Sequence, residues 1–247
     1  MKEYDYRTFA KYYDILELDE DCKKFNLVLE KILRRHKVKK VLDLTCGTGE
    51  QVIYLHRKGY DVTARDSSED MISFARKKYP QLKFKQGDMR DASPGQFDAA
   101  ISIFNSIGHL PKPDFRKALK NIKKNLPTGG IYVFDIFNFD FVKKNFIFHE
   151  FMDVSKEVDG MRYARFNKNK FDSSAAIMEM HQKTYIQKGL QKPKILKDEW
   201  DMQIYSVEEI KKILSDCNFV AVEFMDMAGK EFDPANSISL LTIAKAE

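Results

Sequence analysis

The sequence predicts an α/β protein built on a doubly wound, mostly parallel sheet of seven strands, carrying an antiparallel β insertion. Two observations predict it. From residue 25 to residue 137, short apolar strands alternate with amphipathic helices, the rhythm that parallel strands joined by crossover helices require. From about 139 to 204 that rhythm stops, and alternating, aromatic-rich segments separated by turn residues replace it, as antiparallel strands demand. A chain of 247 residues that is 43% hydrophobic can bury one large core without needing a second independent domain.

FNLVLEKILRRH (25–36) sets Phe25, Leu29, Ile32 and Leu33 at helical spacing. KKVLDL (39–44) is a short buried strand, and EQVIYLHRKG (50–59) is a helix stopped by Gly59. YDVTARD (60–66) alternates as a second strand; the following helix begins with a Ser cap and early acids and ends before Pro80. LKFKQGD (82–88) and FDAAISIF (97–104) are strands three and four, DFRKALKNIKKNL (114–126) the next helix, and GGIYVFDIF (129–137) strand five. The insertion contains MRYARFNKNKF, SAAIMEMHQKTYIQKG and KDEWDMQIYS and no helix; Met178 and Met180 share one face with Ile186, and His181 and Tyr185 share the other. SVEEIKKILSDCNF (206–219) resumes as a helix with Ser206 and Glu209 at capping-box spacing, and a terminal strand pair closes the chain.

Composition excludes several classes. No apolar run approaches the roughly 20 residues of a bilayer helix, and the N-terminal stretch is too polar for a signal peptide, so a cytoplasmic protein is expected. Cys22, Cys46 and Cys217 form no C-x-x-C pair, which disfavours a disulfide framework or a zinc site, and no metal is implied. The net charge of +5 comes from scattered lysines such as those of RKALKNIKKN, where Ala118, Leu119 and Ile122 mark a buried stripe; this is a solvated helix face, and a nucleic-acid partner is not expected.

VLDLTCGTGE (41–50) follows a strand and opens a helix, so its backbone can approach a ligand at the carboxyl edge of the sheet. Thr45 and Val52 stand where a dinucleotide fingerprint would carry further glycines, and no G-K-[ST] follows, so neither a pyrophosphate turn nor a P-loop is read. What remains is Asp43, small residues, Gly47 and Gly49. Seventeen residues after Gly49, Asp66 ends the second strand, where a carboxylate can accept both hydroxyls of a ribose. Asp88 ends the third strand and can receive an exocyclic amine. The set describes a nucleoside site without a phosphate clamp.

Asp43 to Gly49, Asp66 and QGDMRD (86–91) resemble the S-adenosylmethionine site of class I methyltransferases, whose Rossmann-like sheet the segment 39–137 would match. SSEDMISFARKKYP, QGDMRD and IFNSIGHL (103–110) further resemble the dTDP-amino-sugar N,N-dimethyltransferases, which carry a β insert over the active site. The resemblance implies S-adenosylmethionine as cofactor, with Gly47 and Gly49 near its amino-acid part, Asp66 on the ribose, and Asp88 with Met89 around the adenine. Thr45, Ser67 and Phe104 complete the expected cofactor-facing set. Asp43 holds loop amides or the cofactor amine. The corresponding division is a helical cap (1–37), an S-adenosylmethionine-binding methyltransferase domain (38–138 and 205–247) and a β insertion covering the active site (139–204).

An amine acceptor must lose a proton before it is methylated, and a histidine is a suitable carrier. His109 follows the fourth strand, with Gly108 permitting a tight turn; the resemblance places a histidine here and matches a tyrosine to Tyr13. His109 is therefore read as base or positioner and Tyr13 as a hydroxyl facing the acceptor, with a backbone-bonded turn residue as the competing reading of His109. One of Tyr12 and Tyr13 only packs. Arg162 and Lys230 are the cations considered for a sugar diphosphate. FNSIGH lacks the D/N-P-P-Y signature of base-methylating enzymes. The reading is a methyltransferase acting on a small-molecule amine such as an amino-sugar or amino-acid-like acceptor; an RNA or protein methyltransferase and a non-catalytic cofactor-binding protein stay open, as does a homodimer formed through the β insertion.

Overall fold

The computed structural model describes residues 1–18, 20–146 and 149–247. Two helices, α1 (Tyr6–Glu17) and α2 (Glu20–Arg35), precede an alternation of β1 (Lys40–Asp43), α3 (Glu50–Arg57), β2 (Asp61–Asp66), α4 (Glu69–Lys78), β3 (Phe84–Gln86), β4 (Ala99–Ser102), α5 (Lys112–Lys124) and β5 (Ile131–Phe137). After a helix α6 (Phe139–Asn145) come five strands: β6 (Phe151–Val158), β7 (Met161–Asn167), β8 (Lys170–Asp172), β9 (Ile177–Lys188) and β10 (Lys194–Gln203). The chain ends with α7 (Val207–Ser215), β11 (Phe219–Met225) and β12 (Ser239–Ala246).

The larger sheet has seven strands in the order β11-β12-β5-β4-β1-β2-β3, with β1 to β5 parallel and β12 antiparallel to both of its neighbours. Its central strands read as apolar runs because helices cover both faces. β4 is buried throughout, and Val41 and Leu42 of β1 are inaccessible. The chain runs outward from β1 to β2 and β3 on one side and from β4 to β5 on the other. The carboxyl edge between β1 and β4 is thus the switch point where such sheets bind ligands. Helix starts follow the sequence: Ser68 accepts from the Met71 amide at 3.3 Å, and Ser206 with Glu209 forms a reciprocal capping box. α5 begins two residues earlier than the apolar pattern suggested because Pro113 is accommodated in its first turn.

The smaller sheet is antiparallel, in the order β10-β9-β7-β6 with β8 also on β9. On β9, Met178, Gln182, Thr184 and Ile186 share the buried face. One expectation fails here: α6 lies at the start of the segment read as free of helix. Asn138 caps it by accepting from the Asp140 amide at 3.1 Å, and the alternating phenylalanines that suggest a strand instead pack Phe139 on Phe171 and bury Val142. Among the described residues no helix is long and apolar enough to cross a membrane, and no cluster of metal-ligating side chains is found.

Candidate active site

A cavity of about 1000 Å³ opens at the carboxyl edge of β1 to β5 and runs beneath α1 to the inner face of the smaller sheet. Small-molecule pockets measure roughly 300–1000 Å³, so this one stands at the large end of that range. Thr45, Gly47, Asp66, Ser67, Asp88, Met89, Phe104, His109 and Tyr13 all line it. Asp43 and Gly49 do not; they lie behind the loop that the others present.

Asp43 is 1% exposed and accepts the Thr45 amide at 3.1 Å, which pins the loop from below. Burial pushes its carboxyl up to about 7, opposed by the Thr45 amide and assisted by the negative charge of Asp66. Gly49 has φ +92 and caps α3; a Cβ there would stand 2.8 Å from the Phe84 ring and 3.2 Å from Tyr79. Only glycine allows both that conformation and that approach. Asp66 accepts the Gly47 amide at 2.8 Å through one oxygen and the Ser68 amide at 2.9 Å through the other. Each oxygen keeps further lone-pair capacity, and the residue lines the cavity, which is the accepting capacity a ribose diol needs. Burial raises the Asp66 carboxyl, and the two amides hold it down. The Thr45 hydroxyl oxygen is buried without a partner, a polar group on the wall that a bound nucleoside or amino acid would satisfy.

Asp88 lines the cavity with a partner of its own. Both its oxygens engage Arg90, at 2.6 to 3.0 Å, and Arg90 also reaches Asp114, so the carboxylate meets the cavity already paired with a guanidinium. Arg65 turns away from the cavity: it donates to the Ala64 carbonyl at 3.1 Å, and its stem packs over Gly87.

His109 closes a short 3₁₀ turn, Ser106–His109, after β4. Gly108 serves close packing rather than a glycine-only conformation: its added Cβ would meet Met202 at 2.7 Å and Ile136 at 2.9 Å. The unusual backbone lies earlier, where Phe104 and Asn105 have φ of +60 and +58. Asp135, inaccessible on β5, accepts the Asn105 amide at 3.0 Å and holds this pair in place. The His109 ring faces the Tyr6 hydroxyl, with Nε2 to Oη at 3.5 Å. Desolvation lowers its pKa from 6.5 to about 4.

Sequence reasoning named Tyr13 but missed Tyr6. Tyr6, Phe9 and Tyr13 follow the i, i+3, i+7 spacing of one helix face, which was the available signal. Tyr12 is the packing member, on Tyr163 at 6.3 Å between ring centres. Tyr4 stands between Tyr6 and Trp200, with ring centres 4.6 Å from each. Arg165 was also missed. It shares the buried face of β7 with Tyr163 and Asn167 and binds Glu17 and Asp153. Arg162 and Lys230 do not reach the cavity: Arg162 pairs with Glu157 at 3.2 Å, and Lys230 is exposed.

Comparison with known proteins agrees with this geometry. The family pattern described as "Methyltransferase domain" matches residues 41–130. YqeM of Bacillus subtilis, whose name marks it as a methyltransferase, is 28% identical over 231 residues, 90% of each chain. A dTDP-3-amino-3,4,6-trideoxy-alpha-D-glucopyranose N,N-dimethyltransferase of Streptomyces venezuelae is 32% identical over 155 residues, 60% of this chain and 62% of that one. The fold is shared with a S-adenosylmethionine-dependent methyltransferase of Clostridium acetobutylicum, at a TM-score of 0.81 and 22% identity over 98% of both chains. Residues 41–130 thus carry a methyltransferase domain set on the cavity loop, and the chain shares the fold of S-adenosylmethionine-dependent methyltransferases.

Proposed function

We propose that the protein methylates a nitrogen of a small-molecule amine. The carrying observation is the continuity of one cavity from the Gly47–Asp66 loop to His109, roofed by the smaller sheet, which leaves room for a compact acceptor and none for a duplex. S-adenosylmethionine supplies an electrophilic methyl on a sulfonium, so the acceptor nitrogen forms the new bond with its lone pair while the carbon–sulfur pair stays on sulfur. The positive charge passes to nitrogen, and the protein's task is alignment and exclusion of water.

Asp66 holds the ribose, Thr45 and Gly47 border the amino-acid end, and Met89 and Phe104 flank the base. Gly49 and Asp43 act one step removed, by shaping and pinning the loop. His109 is neutral above about pH 5 and accepts a hydrogen bond from the amine, directing its lone pair toward the methyl; Tyr6 steadies the ring and Tyr13 borders the acceptor. Cytoplasmic location goes with the buried, free thiols of Cys46 and Cys217. Pairing of two copies through the β insertion belongs to the same proposal and is tested by the mass in solution. The activity is tested by incubating the protein with S-adenosylmethionine and a panel of unphosphorylated and nucleotide-linked amines. Mass spectrometry and NMR of the product should place the new methyl on nitrogen; methylation on oxygen or carbon, or none across the panel, refutes the proposal.

A further inference from the structure

The charge of the wall is opposite to that of the chain. Among the described residues its basic side chains are Arg7, Arg90 and Arg165, with no lysine, although the chain carries a net +5. None of the three guanidiniums is left over. Arg7 lies at the exposed rim and is bound through two nitrogens by Asp5. Arg90 lies between Asp88 and Asp114. Arg165, 6% exposed, lies between Glu17 and Asp153. The last two clusters each carry one more negative charge than positive.

Around the acceptor end, the excess carboxylate coincides with aromatic rings. Tyr4 contacts Tyr6, Phe9 and Trp200 edge to face, with centres 4.6 to 5.4 Å apart, and its centre is 6.4 Å from that of the His109 ring. After burial, the charge of Glu17 is among the influences that raise the phenols of Tyr4, Tyr6 and Tyr13, and all four residues line the cavity. His109 adds no positive charge there. Rings, a Glu17–Arg165–Asp153 cluster with one negative charge in excess, and a neutral imidazole form a pocket for a cation.

We infer that the acceptor is a cationic amine without a phosphate group, seated among Tyr4, Tyr6 and Trp200 beneath the Glu17–Arg165–Asp153 cluster. This rests on the amine reading above and departs from a sugar joined to a nucleoside diphosphate. A diphosphate would bring two or more negative charges against carboxylates and, among the described residues, find no unpaired cation in the wall, the Met1 ammonium being paired with Asp201 at 4.0 Å. The bound ammonium gives up one proton to solvent water before transfer, which frees the nitrogen lone pair, and the same wall then stabilises the charge that nitrogen regains as the methyl arrives.

The test is calorimetric titration of the full chain saturated with S-adenosylhomocysteine, using choline, its neutral isostere 3,3-dimethylbutan-1-ol, and thymidine diphosphate. Choline should bind about tenfold more tightly than the alcohol, a difference of about 1.4 kcal/mol, and thymidine diphosphate should give no heat. Glu17→Gln should narrow the choline preference while S-adenosylhomocysteine still binds; Asp153→Asn replaces it if that variant does not fold. Equal affinity for the alcohol, binding of the diphosphate, or no choline binding overturns the inference. The methylated atom of the product decides the amine reading separately, and the S-adenosylhomocysteine heat reports the cofactor half, so the failures are distinguishable.

Discussion

His109 should remain a neutral imidazole down to about pH 5, while an ordinary histidine protonates near 6.5. The fall from 6.5 to about 4 disfavours the charged ring by at most about 3 kcal/mol, because the ring borders an open cavity. The sign follows from the two states. Above pH 6.5 the ring is neutral in both; between 6.5 and 4 the unfolded chain takes up a proton that the folded one refuses. This group's contribution is therefore complete above 6.5 and lost as pH falls to 4. The consequence for catalysis is large. A simple alkylammonium resembles a lysine, with a pKa of roughly 10.4, so passing its proton to a ring at about 4 costs about 9 kcal/mol. Accepting a hydrogen bond from the amine instead contributes about 1.5–3 kcal/mol, equivalent to about 10- to 150-fold in rate. Positioning wins over proton abstraction. With five histidines in the chain, two-dimensional NMR can follow each ring through pH 4 to 8, with His109→Gln identifying its signal. The His109→Gln variant should also lose less stability on acidification than wild type, and its rate on an accepted amine should fall within that 10- to 150-fold range with an unchanged pH profile. A His109 ring titrating near 6.5, together with an acid limb at that pH that vanishes in the variant, would refute the positioning role.

Asp66→Asn should weaken S-adenosylhomocysteine binding by about 10²- to 10⁴-fold, since one amide oxygen cannot accept both the Gly47 and Ser68 amides and a ribose diol; calorimetry showing near-wild-type affinity in a folded variant contradicts the assignment. Gly49→Ala should destabilise by about 1–3 kcal/mol in urea melts, through both the φ of +92 and the approach to Phe84. Arg165→Met should cost about 2–3 kcal/mol, below the fully buried case because Glu17 and Asp153 are about a third exposed, and a melt showing no loss would mean the two carboxylates do not need the guanidinium. Asp135→Ala should release the Phe104–Asn105 turn and lower kcat more than KM, visible as faster amide exchange at Asn105 through His109.

The parallel half of the fold was legible because burial on both faces leaves a coarse signal: VLDL, AAIS and IYVFDIF can only be central strands, and Ser68, Ser206 and Gly59 mark helix ends by local chemistry. The loop residues were legible for the same reason, since Gly47, Gly49 and Asp66 are tied to strand ends. The acceptor end was not. Tyr4, Tyr6 and Arg165 come from two elements far apart in sequence, and nothing local says that they meet. Arg165 sits on an inward face of β7 at alternating spacing with Tyr163 and Asn167, but an arginine there reads as solvent-facing until Glu17 and Asp153 are seen to surround it. Asp88 lies just past β3, and nothing in the local sequence announces that Arg90, two residues later, folds back onto it. α6 was missed because phenylalanines at alternating positions satisfy a strand pattern as well as two capped turns of helix do.

α1 joins the two halves of the site. Isolated helices shorter than about 12–15 residues are marginal in water, and α1 has 12 residues, so its order depends on what it touches. Near its middle, Asp14 binds the Thr48 hydroxyl of the cofactor loop and Lys78 of α4, which also binds Glu50. At its last residue, Glu17 binds Arg165 of the smaller sheet. Between these anchors Tyr6, Phe9 and Tyr13 face the cavity. The helix is therefore held at one side by the Gly47–Gly49 loop, proposed to receive the cofactor, and at the other by β7, proposed to border the acceptor. Weakening either anchor must loosen the residues that lie between them. The proposed function therefore predicts that cofactor and acceptor affinity are coupled through α1: Asp14→Ala, placed at neither proposed site, should weaken both, and a variant that weakens only cofactor binding would show that the β7 anchor alone keeps the aromatic face in place.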